Sequence, residues 1–357
     1  MRKLRNKSNA KSEQDVIKTF STTQATDVIN AAPQKAAALH TSNAVLTYKT
    51  IPAYNKQSAD YTNQSFAEYS FNQIKTLTTD FGFKQNINDT DLNIYALDDN
   101  ATALVIMCEH YELTREKTDL ELIDIYLNFI QYCLQPNGYF FKYVDIEKKF
   151  TDENNGVNLA DTTGCAIWAL GYLISKKKML PAETVEKAEA MFVEALAGIK
   201  KIHSVNAIAY IIKGLHYRNT RNETIEGVWL IKQYANILVN LYKDVENNNW
   251  KWFQSTISLS SSQISEALLC AWLSTGEPAY KQISKTSFDF LLSKVFKNDD
   301  SASFLQEEKM FEGKKSTEVN TLIFALNTFH KVFKDDEYLV KIKRSAEWLE
   351  WNKFMSI

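Results

Sequence analysis

Four segments of the chain combine carboxylates, amides and aromatic rings in spacings that suit polar chemistry. Leu97-Asp98-Asp99-Asn100-Ala101 sets two adjacent carboxylates and an amide where a long link enters a helix. Asp or Asn at such an entry ordinarily caps the helix, accepting backbone N–H groups and meeting the positive end of its dipole. Capping explains one aspartate, and the second is free to bind hydroxyl groups or to act as acid or base. Asp161-Thr162-Thr163-Gly164 repeats the pattern, and Trp168 follows on the same helix. Asp161 reads as a cap, and Gly164 lets something approach the backbone closely. Trp168 suits core packing, with ligand stacking as the other use. Asn249-Trp250-Lys251-Trp252-Phe253-Gln254 puts three aromatic rings in a polar loop, with Glu266 one or two turns down the next helix. Rings in such a loop either plug a core or present flat apolar faces to a ligand whose rim is hydroxylated, as a pyranose is. Glu318 falls in the first turn of a late helix, where the dipole alone accounts for it.

Other chemistries have no footing. The chain lacks a phosphate-cradling glycine loop, a nucleophile elbow and an HExxH pair. Cys108, Cys133, Cys165 and Cys270 are far apart in apolar helical contexts, and the five histidines are scattered, so no metal or cofactor is expected. Net charge is −2 with no basic stripe, which argues against nucleic acid. No apolar run approaches the ~18 residues of a membrane span. The start MRKLRNKSNAKSEQD has positive charge but no apolar stretch behind it, so it does not read as a secretory signal. A cytoplasmic location is expected, in keeping with reduced, core-packed thiols.

The elements that must position these groups are helices. Ten glycines and five prolines in 357 residues suit helices and argue against an all-β fold. Residues 1–60 read as a tail or loosely docked helix, with a helical stretch around 12–31, and residues 61–357 as one domain. Helical spacing of apolar residues predicts helices over 65–80, 100–111, 117–134, 162–175, 181–201, 204–217, 223–243, 261–274, 279–295, 317–333 and 336–351. The 162–175 stretch is apolar nearly all round, as for a helix packed on several sides. Short polar links near 112–116, 176–180, 218–222, 275–278 and 334–335 alternate with long ones over 81–99, 135–161, 246–260 and 296–316. The tight join near 202–203 breaks the rhythm. Short links join antiparallel neighbours. No fixed-period solenoid repeat is present. The alternation predicts an all-α fold, an (α/α)6 toroid of helical hairpins with every long link on one rim.

At these segments the chain resembles the bacterial six-hairpin, glycosidase-like (α/α)6 proteins often called glycosyltransferases, because their domain frequently follows a glycosyltransferase module. The resemblance runs through residues 64–352 in order. Asp98–Leu104 is similar to the family's DDNARAL opening, Pro136–Tyr143 to its PDG-F-N turn and Asp161–Gly171 to its D-HGRALWALG helix start. Ser204–Leu215 resembles its serine-led helix ending in Gly-Leu, Trp252–Ala271 its WFE segment, and Ala346–Asn352 its AxxWF-GxN end. Charged family positions are replaced by Thr102, Thr163, Cys165 and Gln254, and an acid-Gln-Gln-Pro run by Glu312–Ser316.

The resemblance implies a carbohydrate-active protein, glycoside-hydrolase-like or associated with a glycosyltransferase, with a saccharide in the rim funnel. Hydrolysis needs two carboxyls ~5–5.5 Å apart for retention or ~6.5–9.5 Å for inversion. Asp99 is the expected base or binding carboxylate, and Glu266 the expected acid in apolar surroundings. Asp98, Asn100, Asp161, Trp168, Asn249, Trp250, Trp252, Phe253, Gln254 and Glu318 are the expected substrate contacts. The lost charges support an alternative, a non-catalytic toroid that binds a saccharide or a partner.

Overall fold

The computed structural model describes residues 74–84, 94–220, 223–296 and 316–355, with side chains of the last stretch over 318–349. The stretch around 12–31, the 1–60 tail and most of the 296–316 link lie outside the described residues. The described residues fall in one compact unit spanning 57–357.

Ten long α-helices are present among the described residues. They are α1 (Leu97–Thr114), α2 (Lys117–Cys133), α3 (Leu159–Ser175), α4 (Ala182–Gly198), α5 (Val205–Asn219), α6 (Ile225–Val245), α7 (Ser262–Thr275), α8 (Pro278–Val295), α9 (Ser316–Phe333) and α10 (Glu337–Met355). The odd-numbered helices pack in series, α1 on α3, α3 on α5, α5 on α7 and α7 on α9, and each even-numbered helix packs on the odd-numbered one before it. This is the (α/α)6 toroid, with an inner layer running one way and an outer layer returning. Inner helices are apolar on most sides because they have neighbours on most sides. In α3 every residue from Thr162 to Ser175 is buried. Outer α6 has the stripe expected of a one-sided helix, burying Ile231, Tyr234, Ala235, Leu238, Val239 and Tyr242.

The tightest joint in the barrel is between α3 and α5. A Cβ on Gly171 would sit 2.2 Å from the Gly214 carbonyl oxygen, and one on Gly214 would sit 2.5 Å from that of Ile167. A Cβ on Gly164 would meet the Ala207 Cα at 2.9 Å. The close approach read from Gly164 is therefore that of a neighbouring helix.

Helix starts differ from the periodicity in two instructive places. Helix α1 begins at Leu97, so Asp98 and Asp99 lie in its first turn, and Ala96 at the cap provides no side-chain acceptor. Helix α3 begins at Leu159 with Asn158 as its cap, whose side-chain oxygen accepts the Ala160 N–H. Asp161 is thus no cap. The amide three residues earlier does the work expected of the carboxylate.

A two-stranded antiparallel ribbon, β1 (Ile94–Ala96) and β2 (Tyr143–Asp145), ties the link entering α1 to the link entering α3. Ile94 faces Asp145 and Ala96 faces Tyr143. The Asn154 amide secures this link internally, accepting the Lys142 and Tyr143 N–H groups and donating to the Tyr143 and Thr151 carbonyls. The ribbon fixes the rim above the inner helix starts.

Candidate functional site

Starts of the inner helices converge on one rim. The Cys165 thiol of α3 lies 4.0 Å from the Asp98 carbonyl of α1. The Ser204 hydroxyl, at the start of α5, donates to Asp161 of α3. Asp98 Oδ2 pairs with Lys142 Nζ at 2.8 Å across the links, and both side chains are partly exposed. Burial lowers the Lys142 ammonium's pKa, but the Asp98 carboxylate beside it overrides this and holds it above its ordinary value.

Below that level the barrel is filled from all sides. Tyr210 of α5 stacks on Trp168 of α3 at 5.6 Å between ring centroids, and Phe324 of α9 meets the same indole edge-on at 5.4 Å. Desolvation, together with the neighbouring Cys165 and Asp98, pushes the Tyr210 hydroxyl well above its usual range. Lys213 Nζ sits 4.3 Å from the Trp168 ring centroid and 2.6 Å from Glu266 Oε2. The Thr328 hydroxyl donates to Glu266 Oε1 at 2.7 Å. Trp168, Lys213, Glu266 and Thr328 so form a plug drawn from four inner helices.

Each of the five inner helices among the described residues also carries a shielded polar atom with no hydrogen-bond partner there. They include Asp98 Oδ1 on α1, Trp168 Nε1 on α3, Asn206 Oδ1 on α5, Ser262 Oγ and Gln263 Oε1 on α7, and Asn320 and Asn327 Oδ1 on α9, and such atoms also occur away from the rim, at Asp119, Asn219 and Trp252. Leaving such an atom unsatisfied costs about 1–3 kcal/mol. Each of these atoms is closed off from the surface, so an outside partner reaches it only where neighbouring side chains move.

The structure gathers some of the expected residues and disperses others. Asp98, Asp161, Trp168 and Glu266 lie along the inner ring. Asp99 is in α1's first turn and 7% exposed. The Asn100 amide is spent on the scaffold, accepting the Phe83 N–H and donating to the Phe83 and Ala96 carbonyls. Glu266 has an ammonium against it rather than the apolar surroundings expected of it. Trp252 and Phe253 are core residues, 0% and 1% exposed, and Phe253 packs on Tyr242 of outer α6. Trp250 turns outward onto Phe290 of α8 and donates its indole N–H to the Gln254 carbonyl. Asn249 is exposed on the same loop. Glu318 lies partly buried in α9's first turn. Of the third segment's rings, therefore, two plug the core and one packs on the outer layer.

Tyr210, Lys213, Lys142 and Thr328 join the site without having been expected from the sequence. For Lys213 a signal exists: it is a charge within Ala209-Tyr210-Ile211-Ile212-Lys213-Gly214-Leu215, on a helix otherwise apolar, matching the isolated Glu266 on α7. An isolated charge on a helix with neighbours all round needs an opposite charge on another such helix.

No helix among the described residues is long and apolar enough to cross a membrane. No group of three or more His, Cys, Asp or Glu side chains placed to hold a metal ion occurs among them either. No family model matches the chain, and no curated protein matches it in sequence. Solved structures do match in fold. A D-mannose isomerase superposes with a TM-score of 0.58 at 13% identity, over 84% of this chain and 88% of that one. The cellobiose 2-epimerase of Bacillus thermoamylovorans gives 0.55 at 12%, over 81% and 87%. The cellulase Cel9M of C. cellulolyticum, in complex with cellobiose, gives 0.55 at 13%, over 81% and 78%. At such identities the likeness is one of fold.

Proposed function

We propose that this chain is a carbohydrate-active six-hairpin protein whose inner-helix rim binds a saccharide, and that binding rather than hydrolysis is its main task. The observation that carries the reading is the polar cluster at the inner-helix starts, where partly exposed Asp98 and Lys142 share the rim with Asp161 and Ser204, on the helices that carry the Trp168–Tyr210 stack. Sugar hydroxyls both donate and accept, so one ligand can meet carboxylate, ammonium and hydroxyl groups together. Asp98 is the leading contact: its side chain is partly exposed at the rim and is oriented there by Lys142. The fold neighbours named as a mannose isomerase, a cellobiose epimerase and a cellulase support a sugar ligand. The sequence resemblance adds association with a glycosyltransferase. Four buried thiols suit a reducing compartment.

Binding is preferred because the carboxylates are committed. Glu266 is held by Lys213 and Thr328, Asp161 takes the Ser204 hydroxyl, and Asp98 pairs with Lys142. An acid for glycosidic cleavage must be able to give up a proton at the bond it breaks. The enzymatic neighbours favour a second reading, in which Asp99 and Glu266 act as the carboxyl pair. Calorimetric titration with neutral mono- and disaccharides, alongside an aryl-glycoside turnover panel, separates the two. Binding that Asp98→Asn weakens at least tenfold, without turnover, is the expected outcome. Turnover abolished by Asp99→Asn would replace it with the catalytic reading, and a chain that binds no saccharide would sink both. Trp252→Ala is a poor probe, since it removes a fully buried ring.

A further inference from the structure

An open cavity lies on the same rim, between the link entering α3 and the join entering α5. Its volume is about 540 Å³, inside the ~300–1,000 Å³ range of small-molecule sites. Asn137, Tyr139, Phe141, Asn155, Asn158 and His203 are among its walls, and no carboxylate side chain lines it. Ser204, which also lines it, is the residue whose hydroxyl reaches Asp161 on the inner ring. The cavity therefore adjoins the inner ring at Ser204.

We propose that this cavity is a second saccharide site, one that holds a neutral glycan chain by amides and aromatic faces and has no catalytic part. The amides are set as donors in advance. Asn137 spends its side-chain oxygen on the Tyr139 N–H, and Asn158 spends its own on the Ala160 N–H, which turns both NH2 groups to other partners. Gln135 is the reverse: it donates to the Cys133 carbonyl and keeps its oxygen as an acceptor on the cavity wall. Asn155 carries both functions. Fixed donors beside a fixed acceptor match hydroxyl groups, which do both. An ionic ligand would call for charge of the opposite sign, and the lining has one lysine, Lys201, among its amides.

An aromatic strip leads out of the cavity and gives the chain its direction. Phe141 on the wall meets Phe150 edge-on at 4.9 Å, Phe150 lies 5.0 Å from Tyr132, and Tyr132 lies 5.4 Å from Phe81. Phe150 is 37% exposed and Tyr132 41%. Adjacent exposed rings such as Phe150 and Tyr132 are costly in water and suit the CH faces of pyranose units. A ligand that fills the cavity and continues over these rings is an oligosaccharide several units long.

The test is binding of cello-, manno-, xylo- and maltohexaose, with hexagalacturonate as the anionic comparison, to the full chain. Asn155→Trp blocks the cavity from an exposed position, Phe150→Ala removes a platform ring outside it, and Asp98→Asn reports on the funnel. A neutral hexasaccharide should bind, and both Asn155→Trp and Phe150→Ala should weaken it fivefold or more. Asp98→Asn should leave that binding within twofold. Circular dichroism identical to that of the parent checks that each variant is folded. The proposal is overturned if no neutral hexasaccharide binds, if hexagalacturonate binds more tightly than all of them, or if only Asp98→Asn weakens binding. That last result would leave the funnel reading standing alone.

Discussion

Lys213 Nζ and Glu266 Oε2 lie 2.6 Å apart in the centre of the barrel, and each side chain is 1% exposed. Neither charge can reach water, so each exists because the other does. The Trp168 face and the Thr328 hydroxyl complete the enclosure. Breaking such a pair from one side leaves a buried charge uncompensated, at a cost of about 3–5 kcal/mol. Glu266→Gln and Lys213→Met should each destabilise by that order in urea unfolding. The double variant should lose far less than their sum, because removing both charges removes both desolvation costs. Additive losses would mean that the two groups do not depend on each other.

The glycine joint between α3 and α5 makes a second prediction, about packing alone. An added methyl on Gly214 meets the Ile167 carbonyl oxygen, which is backbone and cannot swing aside. Gly214→Ala should therefore force the helices apart and cost at least the ~1–3 kcal/mol of ordinary overpacking. Gly276 is the control. It ends α7 at φ +70° with nothing within 4 Å of an added Cβ, so Gly276→Ala should cost only the ~1–2 kcal/mol of left-handed strain. Thermal unfolding that ranks the two the other way round would contradict the close approach.

These two cases show where the sequence is readable. Helical spacing and alternating link lengths disclose the hairpins, because an inner helix and an outer helix bury different fractions of their circumference. Link alternation also discloses which rim carries the helix starts. The fate of single side chains is less open. Trp250, Trp252 and Phe253 look alike in a polar loop, yet one packs on Phe290 of the outer layer and the other two enter the core. Only the loop's path decides that, and the path is set by tertiary contacts. Asp161 and Asn158 compete for one cap, and spacing of apolar residues leaves such boundaries loose by a turn. Lys213 escapes notice because one lysine among apolar residues resembles a surface charge until its helix is known to be surrounded.

Thiol chemistry is the third prediction. Cys108, Cys133, Cys165 and Cys270 are all free and buried, and in each case burial first of all pushes the pKa up. The thiolate is the reactive form, so none should be modified while the chain is folded. Ellman's reagent should detect essentially no thiol in native protein at pH 8 and all four in denaturant. Rapid native labelling of Cys165, which adjoins Asp98 at the rim, would show that the funnel opens wider than this structure has it.

His216 supplies a pH signature. Its Nδ1 contacts the Ser274 hydroxyl at 2.7 Å, and burial lowers its pKa to about 4. The unfolded chain restores the ordinary value near ~6.5. Between those two values the unfolded state binds a proton that the folded state refuses, so falling pH favours unfolding. The contribution is complete above about pH 7 and is lost progressively as pH drops from ~6.5 towards 4, amounting to at most about 3 kcal/mol. Urea unfolding of the parent chain should weaken measurably between pH 7 and pH 5. His216→Gln keeps an acceptor for Ser274 and has no proton to take up, so it should flatten that slope by up to about 1.4 kcal/mol per pH unit. Carboxylates add their own slope below pH 5, and the difference between parent and variant above that point isolates the histidine. Parallel curves for the two proteins from pH 7 to 5 would show that His216 titrates in the fold as it does in water.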